Sequence, residues 1–187
     1  MTQHIDQSED AAFAVFDGLE TVSAAELVGL WEGRCVPTGH PMDGVLENLG
    51  WFGKRFNADL SADPLLFRFR FGARRLTPVD PSLIPVDWAF RFHRFGRTRL
   101  ARNLFSHLAR HLRARGPAAR LRAVRFRDVT SAAMVYDGQP IIDHFRKIDD
   151  DAVLGAMSIH GKERHYFFRL DRVEEASSKN AEPRQPV

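Results

Sequence analysis

The chain has 187 residues, is 44% apolar and carries a formal net charge of +3 at pH 7. This length can bury the core of one ordinary domain, and no run approaches the roughly 20 apolar residues of a membrane-spanning helix. Any membrane contact is therefore expected to be peripheral. The single cysteine, Cys35, excludes an internal disulfide. Residues 1–10 are polar and acidic, without the apolar centre of a signal peptide, and so predict a cytoplasmic location.

The positive charge is concentrated in the middle of the chain. Residues 68–127 contain 16 arginines and no lysine, and their acidic residues are Asp80 and Asp87. Arginine presents planar pairs of donors to phosphates and carboxylates, so this region favours anionic partners. A solvated basic surface without a partner is the alternative interpretation.

The N-terminal part of the chain predicts a tail followed by helix. We expect residues 1–10 to be a flexible tail and residues 11–28 to form one or two helical turns. Ser23 and Glu26 have the spacing of a capping box. They predict a short helix that leads directly into the first strand.

The first predicted strand covers residues 30–36 and begins within the sequence GLWEG of residues 29–33. A glycine passes from a helix into a strand without a Cβ clash. Trp31 would then point into the core and fill one end of a sheet that curls on itself.

The next loop, residues 37–44, brings His40 and Asp43 close in sequence to Cys35. A thiol with a neighbouring imidazole and carboxylate is typical of nucleophilic catalysis. Turn residues of these types also bind their own backbone, and we favour this second interpretation because no pattern brings the thiol to the imidazole. No catalytic residue is predicted.

Residues 45–56 end in the string WFGKRF. Trp51 and Phe56 are expected in the core, and Lys54 is expected at the surface with its stem on an aromatic ring. In the alternative, Trp51 and Lys54 lie at the mouth of a cavity and accept an amphiphile with an acidic head group.

Residues 65–71 show the clearest alternation in the chain. Phenylalanines occupy one face and arginines the other: Phe67, Phe69 and Phe71 against Arg68 and Arg70. Inward phenylalanines would line an apolar cavity, whereas inward arginines would form an anion-binding pocket. The first orientation is favoured. Residues 88–92 repeat the pattern with Trp88, Phe90 and Phe92 and predict another strand.

Residues 100–113 have a leucine at every fourth position, which predicts an amphipathic helix. Its other positions are rich in arginine, including Arg102, Arg110 and Arg113. Either the leucines pack on the sheet, or the helix lies on an anionic lipid surface with these three arginines facing the membrane. Packing on the sheet is favoured, and a lid that exchanges one contact for the other would combine the two.

Short strands follow at close spacing and predict an antiparallel meander: residues 121–136 with a break near residue 128, then 140–148, 153–159 and 164–172. Alternation places Asp143 and His144 on opposite faces, so they cannot form a dyad. Asp143 is expected to bind backbone or Arg146.

Two sets of strings resemble known families. GLWEG (29–33), PTGHP (37–41) and WFGKRF (51–56) resemble the bacterial family named for its GXWXG motif. SAAMVYD (131–137), QPIID (139–143), FRK (145–147) and LGAM (154–157) resemble its partner module, domain of unknown function 4334. The resemblance extends over residues 12–172 and implies a lipocalin-like barrel with a lipid ligand, but no reaction.

We therefore predict a mainly β protein, an antiparallel calycin- or lipocalin-like barrel with an N-terminal helix and one inserted basic amphipathic helix. A single domain would span residues 11–172, with the GXWXG module at 12–70 and the C-terminal meander at 118–172. Residues 173–187 are expected to be a flexible tail.

The predicted function is intracellular binding of an amphipathic anionic ligand, a phospholipid or fatty acid, in the barrel cavity. The expected apolar lining is Trp31, Trp51, Phe67 and Phe69. The expected head-group partners are Lys54, Arg68 and Arg70, with Tyr136 as a further ligand-binding residue. No cofactor or metal site is predicted.

Two other functions stay open. The GXWXG string also resembles the start of nitrobindin-type haem barrels, in which His160 or His165 would supply an axial ligand. Interleaved arginine and phenylalanine would suit nucleic acid, which ranks third together with a small-molecule enzyme. No glycine-rich phosphate loop, HExxH, paired CxxC or Gly-x-Ser-x-Gly elbow occurs.

Overall fold

The computed structural model describes residues 8–69, 76–108 and 111–174. Its strands are β1 Gly29–Val36, β2 Trp51–Phe56, β3 Ser61–Phe67, β4 Thr77–Pro78, β5 Ala119–Phe126, β6 Val129–Tyr136, β7 Ile141–Asp149, β8 Ala152–Ile159 and β9 Tyr166–Val173. Its helices are α1 Glu9–Gly18, α2 Val45–Leu49, α3 Val86–Arg91, α4 His93–Gly96 and α5 Arg99–Leu108, with a short 3-10 helix at Pro81–Leu83.

The strands form one antiparallel sheet in the order β2-β1-β9-β8-β7-β6-β5-β3-β4. A further pairing of β2 with β3 joins the two flanks, so eight strands close into a ring and β4 lies beside β3 as a short edge. From β5 to β9 each strand pairs with the next. The predicted antiparallel β class and the C-terminal meander are therefore confirmed.

Alternation along the strands separates an inner core from an outer one. In β9, Tyr166, Phe168 and Leu170 belong to the main core cluster inside the ring, whereas Phe167 belongs to a second cluster outside it. The outer cluster is covered by α1, whose Phe13 meets Phe167 edge to face at 4.9 Å. Because side chains in a strand point alternately to its two sides, one strand serves both cores.

The N-terminal helix begins earlier than predicted. The Ser8 hydroxyl accepts a hydrogen bond from the Ala11 amide at 3.2 Å, so α1 starts at Glu9 rather than within residues 11–28. The capping-box bonds between Ser23 and Glu26 do form, at 2.8 and 3.3 Å. They close a turn at residues 24–27, and the predicted helix there is wrong.

The region between β4 and β5 also differs from the prediction. Residues 88–92 lie in α3 and its end, not in a strand. Trp88 and Phe92 are four residues apart, which suits one face of a helix as well as one face of a strand, and their rings lie 6.0 Å apart. The predicted helix of residues 100–113 is confirmed over α5, and Arg113 lies beyond its end in a bridge to Val79.

The first hairpin of the meander turns on two residues. Arg127 and Asp128 have φ values of 49° and 63°, and Phe126 pairs directly with Val129. Two residues with positive φ match the twist of the flanking strands, which explains the predicted break near residue 128. Among the described residues, no helix is long and apolar enough to cross a membrane.

Candidate ligand cavity

A cavity of about 440 Å³ occupies part of the space inside the ring. The helical segments α2 to α5 cover it, and strands β2, β3, β6, β8 and β9 supply most of its remaining wall. The lining is almost entirely apolar, and its polar members are Lys54, Tyr136, Gln139 and Tyr166, together with the indoles of Trp51 and Trp88. A hollow of this size and lining is typical of small-molecule sites.

A buried ion pair lies at the wall of the cavity. The Lys54 ammonium, 3% exposed, is 2.8 Å from Asp143 Oδ2, and the Asp143 side chain is fully buried. The same ammonium donates to the Pro64 carbonyl at 3.2 Å and to the Tyr136 hydroxyl at 3.4 Å. Tyr136 in turn donates to Asp143 at 3.3 Å. Lys54 and Tyr136 border the cavity, and Asp143 supports them from the adjoining interior.

Aromatic rings surround the Lys54 ammonium. It lies 4.9 Å from the ring centre of Phe168, 5.6 Å from that of Trp51 and 5.8 Å from that of Tyr136. Ring faces attract a cation, so these contacts hold the ammonium in a site with little water. Burial and the neighbouring Asp143 carboxylate raise the pKa of Tyr136 well above its usual value, which keeps its hydroxyl protonated.

A bulge places Trp51 and Lys54 on the same side of β2. Residues three apart in a regular strand face opposite sides, but the register of β2 against β3 shifts on both sides of Gly53. Gly53 has a φ of 151°, and a Cβ there would lie 2.0 Å from the Trp31 carbonyl oxygen. Glycine is therefore required where the bulged part of β2 approaches the backbone of its neighbour β1.

The second glycine of the GLWEG string supports Trp51. A Cβ on Gly33 would lie 2.2 Å from the Trp51 ring, so the indole occupies the space that a side chain at Gly33 would fill. Trp51 also borders the cavity. The indole Nε1 is buried and has no hydrogen-bond partner among the described residues, and neither has Asp143 Oδ1.

The cysteine, histidine and aspartate of the first loop do not form a catalytic group. One Asp43 oxygen accepts from the Thr38 and His40 amides at 3.0 and 2.9 Å, and the other lies 3.4 Å from the Cys35 sulfur. The His40 ring accepts from the Met42 amide at 3.2 Å rather than contacting the thiol. Burial raises the pKa of Cys35 to about 12, which opposes thiolate formation.

Large apolar side chains are exposed around the opening of the cavity. We call these six residues the apolar rim: Leu83, Trp88, Phe92, Phe95, Leu104 and Leu108. Trp88 is 67% exposed and Leu104 52%, although both also line the cavity. Exposed arginines Arg91, Arg94 and Arg99 lie on the same helices. Exposed apolar side chains with cations on the same helices make this surface a candidate interaction site.

The structure brings together four of the predicted site residues, which all border the cavity: Trp51, Lys54, Phe67 and Tyr136. Phe69 stacks on Phe67 at 5.8 Å as a partly buried neighbour. Trp31 is 1% exposed in the packed part of the interior, where its Nε1 donates to the Leu27 carbonyl at 2.7 Å. It fills one end of the ring, as expected, but does not line the cavity.

Of the predicted arginines, those that the structure describes are not in the cavity wall. Arg68 is exposed, and its guanidinium lies 4.7 Å from the phenyl group of Phe52. Phe52 belongs to a small apolar cluster on the outer side of the sheet. Arg70 and Arg110 lie outside the described residues. Arg102 donates to the Asn48 carbonyl at 2.7 Å and so ties α5 to the end of α2 instead of pointing outward, and Arg113 is exposed beyond α5.

The histidines proposed for haem also lie away from the cavity. His160 is exposed in a turn, and His165 contacts Glu9 at 2.9 Å beneath α1, outside the ring. No histidine borders the cavity among the described residues, and within them no cluster of His, Cys, Asp or Glu has the arrangement of a metal site. Neither His160 nor His165 is therefore placed to bind the iron of a haem in this cavity.

Sequence reasoning missed the partner of Asp143 and the role of residues 88–92. Asp143 binds Lys54, not Arg146, which lies outside the ring with its guanidinium 4.9 Å from Phe16. Alternation did predict that Asp143 and His144 lie on opposite faces of the strand. The His144 imidazole stacks on Phe126 at 3.8 Å, on the outer side of the sheet. A lysine among aromatics, next to a glycine in a strand, was the available signal for the buried pair.

Comparisons with known proteins give the following similarities. A family model described as GXWXG protein matches residues 14–72, and a model described as domain of unknown function DUF4334 matches residues 117–172. A crystal structure of a protein from Thermomonospora curvata is similar at 31% sequence identity and a TM-score of 0.62, covering 86% of this chain and 84% of that chain. No curated protein matches the chain.

Proposed function

Because this chain belongs to the GXWXG protein family and carries the DUF4334 domain, neither of which names an activity, we propose a function from the cavity itself. The protein binds a lipid-like, mainly apolar small molecule that carries an oxygen at one end. The observation that supports this proposal is the apolar hollow of about 440 Å³ with a hydrogen-bonding group at its wall. Burial of apolar surface would supply most of the binding free energy.

The buried end of the ligand is a neutral oxygen in this proposal, not the acidic head group expected from the sequence. The Lys54 charge is already balanced by Asp143 at 2.8 Å. A ligand carboxylate beside Lys54 would place a second anion close to Asp143 where little water screens it, and this is unfavourable. A carbonyl or hydroxyl oxygen could accept from Lys54 or from the unpaired Trp51 Nε1 without that repulsion.

The proposal includes a calycin-like barrel as the container. Support comes from the closed ring of eight antiparallel strands, from the helix that precedes β1 and from Trp31 at one end of the interior. Small closed rings of this kind can hold one small ligand when side chains do not fill the interior. Here the half around Trp31 is filled, and the half under α2 to α5 is hollow.

The ligand would enter from an anionic membrane on which the apolar rim docks. Trp88 and Phe92 present exposed rings at the opening, and Arg91, Arg94 and Arg99 on the same helices would attract anionic lipid heads. This version replaces the three predicted membrane contacts, Arg102, Arg110 and Arg113, with residues at the cavity mouth. The location of the protein in the cell stays a prediction.

Calorimetric titration tests the binding proposal with two probes of equal chain length, decanol and decanoate. We expect decanol to bind more tightly than decanoate at pH 7. Ala89→Trp, which places an indole in the cavity wall, should abolish binding of decanol. Ala14→Trp, an exposed position on α1, is the matched control and should leave binding unchanged. Equal affinity in both variants, or absence of binding by the wild type, contradicts the proposal.

Sedimentation with vesicles tests the docking proposal. Vesicles of phosphatidylglycerol and phosphatidylcholine should retain the protein, and binding should weaken as the Debye length falls from about 10 Å at 0.1 M salt to about 3 Å at 1 M. Arg94→Glu should reduce binding, whereas Arg122→Glu on β5 carries the same charge change away from the opening. Likewise Trp88→Ser should reduce it more than Val15→Ser on α1. Equal effects within either pair would refute docking through the rim.

A further inference from the structure

The buried Lys54–Asp143 pair is an unusual feature of so apolar an interior. Removal of two charges from water costs several kcal/mol per ion, and apolar replacements of such pairs are often as stable or more so. The pair connects β2 to β7 across the inside of the ring, yet these strands are already fixed by their neighbours in the sheet. Stabilisation of the fold therefore does not by itself explain why a lysine amine lies at the wall of a ligand cavity.

We propose that Lys54 captures an apolar aldehyde or ketone as a Schiff base, with Asp143 as its counter-ion. This inference rests on the proposed function, because it names the chemical class of the ligand that the cavity holds. Lys54 borders the cavity, so a carbonyl carbon at the end of a bound chain can approach its nitrogen. Lysine amines in desolvated sites are the groups that form such bonds in proteins.

The reaction balances with the groups present. Lys54 first passes one proton to Asp143 Oδ2 across their 2.8 Å contact, which leaves a neutral amine and a neutral carboxyl group. The amine nitrogen attacks the carbonyl carbon and forms a carbinolamine, whose hydroxyl leaves as water after protonation. The carbon–nitrogen double bond then carries the positive charge, and Asp143 ends as the carboxylate facing it. Overall, one carbonyl compound and one ammonium give one iminium ion and one water.

The surroundings of Lys54 favour the product. Tyr136 is within 3.4 Å of the nitrogen, and its hydroxyl stays protonated, so it can donate to the carbonyl oxygen as negative charge develops there. The rings of Trp51, Phe168 and Tyr136 lie 4.9 to 5.8 Å from the ammonium and would hold the iminium cation equally well. The released water has a way out through the opening of the cavity at the apolar rim.

The small number of lysines makes the proposal easy to test. The chain contains Lys54, Lys147, Lys162 and Lys179. Lys147 pairs with Glu26 and Asp150 at the surface, and Lys162 pairs with the exposed Asp87. Lys179 lies outside the described residues. A modification at Lys54 is therefore distinguished from surface reaction by the peptide in which it occurs.

The experiment incubates wild-type protein with decanal and cyanoborohydride, which converts an imine to a stable secondary amine, and then maps decylated peptides by mass spectrometry. We expect decylation at Lys54 to exceed that at Lys162 by about 10-fold or more, because the cavity holds the aldehyde beside this amine. Acetaldehyde, too short to gain from the cavity, should reverse the order and modify Lys162 first. Excess decanol should suppress decylation of Lys54 and leave Lys162 unaffected.

Preferential decylation of Lys162, or equal decylation with and without decanol, would overturn the proposal. If calorimetry shows that decanol binds while Lys54 stays unmodified, the Schiff base is refuted and the binding function stands. If decanol does not bind at all, both fail. Lys54→Arg keeps a cation opposite Asp143 but cannot condense with a carbonyl, so its peptide should carry no adduct. The wild-type map decides the question even if this variant does not fold.

Discussion

The interior of the ring consists of two halves with opposite character. In the packed half, Trp31 is 1% exposed and the rings of Phe56 and Phe145 meet edge to face at 5.6 Å. In the hollow half, Trp51 and Phe67 border open space, and the helices above them leave apolar side chains in solvent. The Lys54–Asp143 pair lies at the wall of the hollow half. One closed sheet can therefore hold a packed core in one part of its interior and a cavity in another.

Replacement of one tryptophan in each half gives the largest expected contrast. Trp31→Ala should lower the free energy of unfolding by about 3–5 kcal/mol, because a large ring leaves an unfilled hole in a packed core. Trp88→Ala, at the opening, should change it by less than about 0.5 kcal/mol because its ring is largely in solvent. Urea unfolding followed by circular dichroism measures both. Similar losses for the two variants would show that the halves do not differ as described.

Acidification should weaken the fold through one histidine beside the hollow half and one outside the ring. Burial lowers the pKa of His40 and of His144 from 6.5 to about 4. Between these values the unfolded chain binds more protons than the folded one, so stability falls as the pH drops from about 6.5 to about 4. The loss should reach a few kcal/mol and be reduced in His144→Phe, which keeps the stacking on Phe126. A flat profile in urea titrations between pH 7 and pH 5 would contradict this.

A methyl group added beneath Trp51 should disturb the hollow half by a smaller amount. Gly33→Ala would place its Cβ 2.2 Å from the indole, and overpacking of this kind costs about 1–3 kcal/mol. The shifted ring should also weaken decanol binding. Gly18→Ala meets no atom within 4 Å and should be neutral or stabilising by up to about 1 kcal/mol. Thermal unfolding and calorimetry compare them, and an undisturbed Gly33→Ala protein would show that Trp51 can move freely.

The smallest expected effect concerns Cys35, the one thiol of the chain. Because burial raises its pKa to about 12, thiol reagents at pH 8 should react with the folded protein far more slowly than with protein unfolded in urea. The slow reaction should persist when the hollow half is occupied by decanol. Rapid labelling of folded protein, followed by absorbance of the released thiolate reagent, would return the Cys35, His40 and Asp43 group to consideration as a reactive site.

Much of the sheet could be predicted because its rules are local. The strands of the meander end at turn residues, and alternation separated inner Asp143 from outer His144 correctly. Trp31 was expected in the core because it follows Gly29, the first glycine of GLWEG, by two residues at the start of the predicted first strand. These predictions need only residue types and a period of two, and for Trp31, Asp143 and His144 they were confirmed.

The site was harder to predict because a bulge and a contact between strands distant in sequence bring its residues together, and local rules cover neither. The bulge at Gly53 turns Lys54 inward, and no period in the sequence reveals a bulge. Asp143 meets Lys54 from a strand 89 positions along the chain, which only the closed ring explains. Residues 88–92 were predicted as a strand because five residues cannot distinguish a helix face from a strand face.

The strands of the GXWXG part pair with the C-terminal meander at two places in the ring, and these two pairings differ in length. We expect the ring to open at the shorter one. The GXWXG part meets the meander along the full length of β1 and β9, from Leu30 opposite Val173 to Val36 opposite Phe167. On the other side, among the described residues, β3 meets β5 only at Ser61–Arg120 and Ala62–Ala119. Amide hydrogens at this short seam should exchange with deuterium well before those of β1. We then expect β3 and β5 to separate while β1 and β9 stay paired. A ligand too wide for the opening at the apolar rim would enter between β3 and β5.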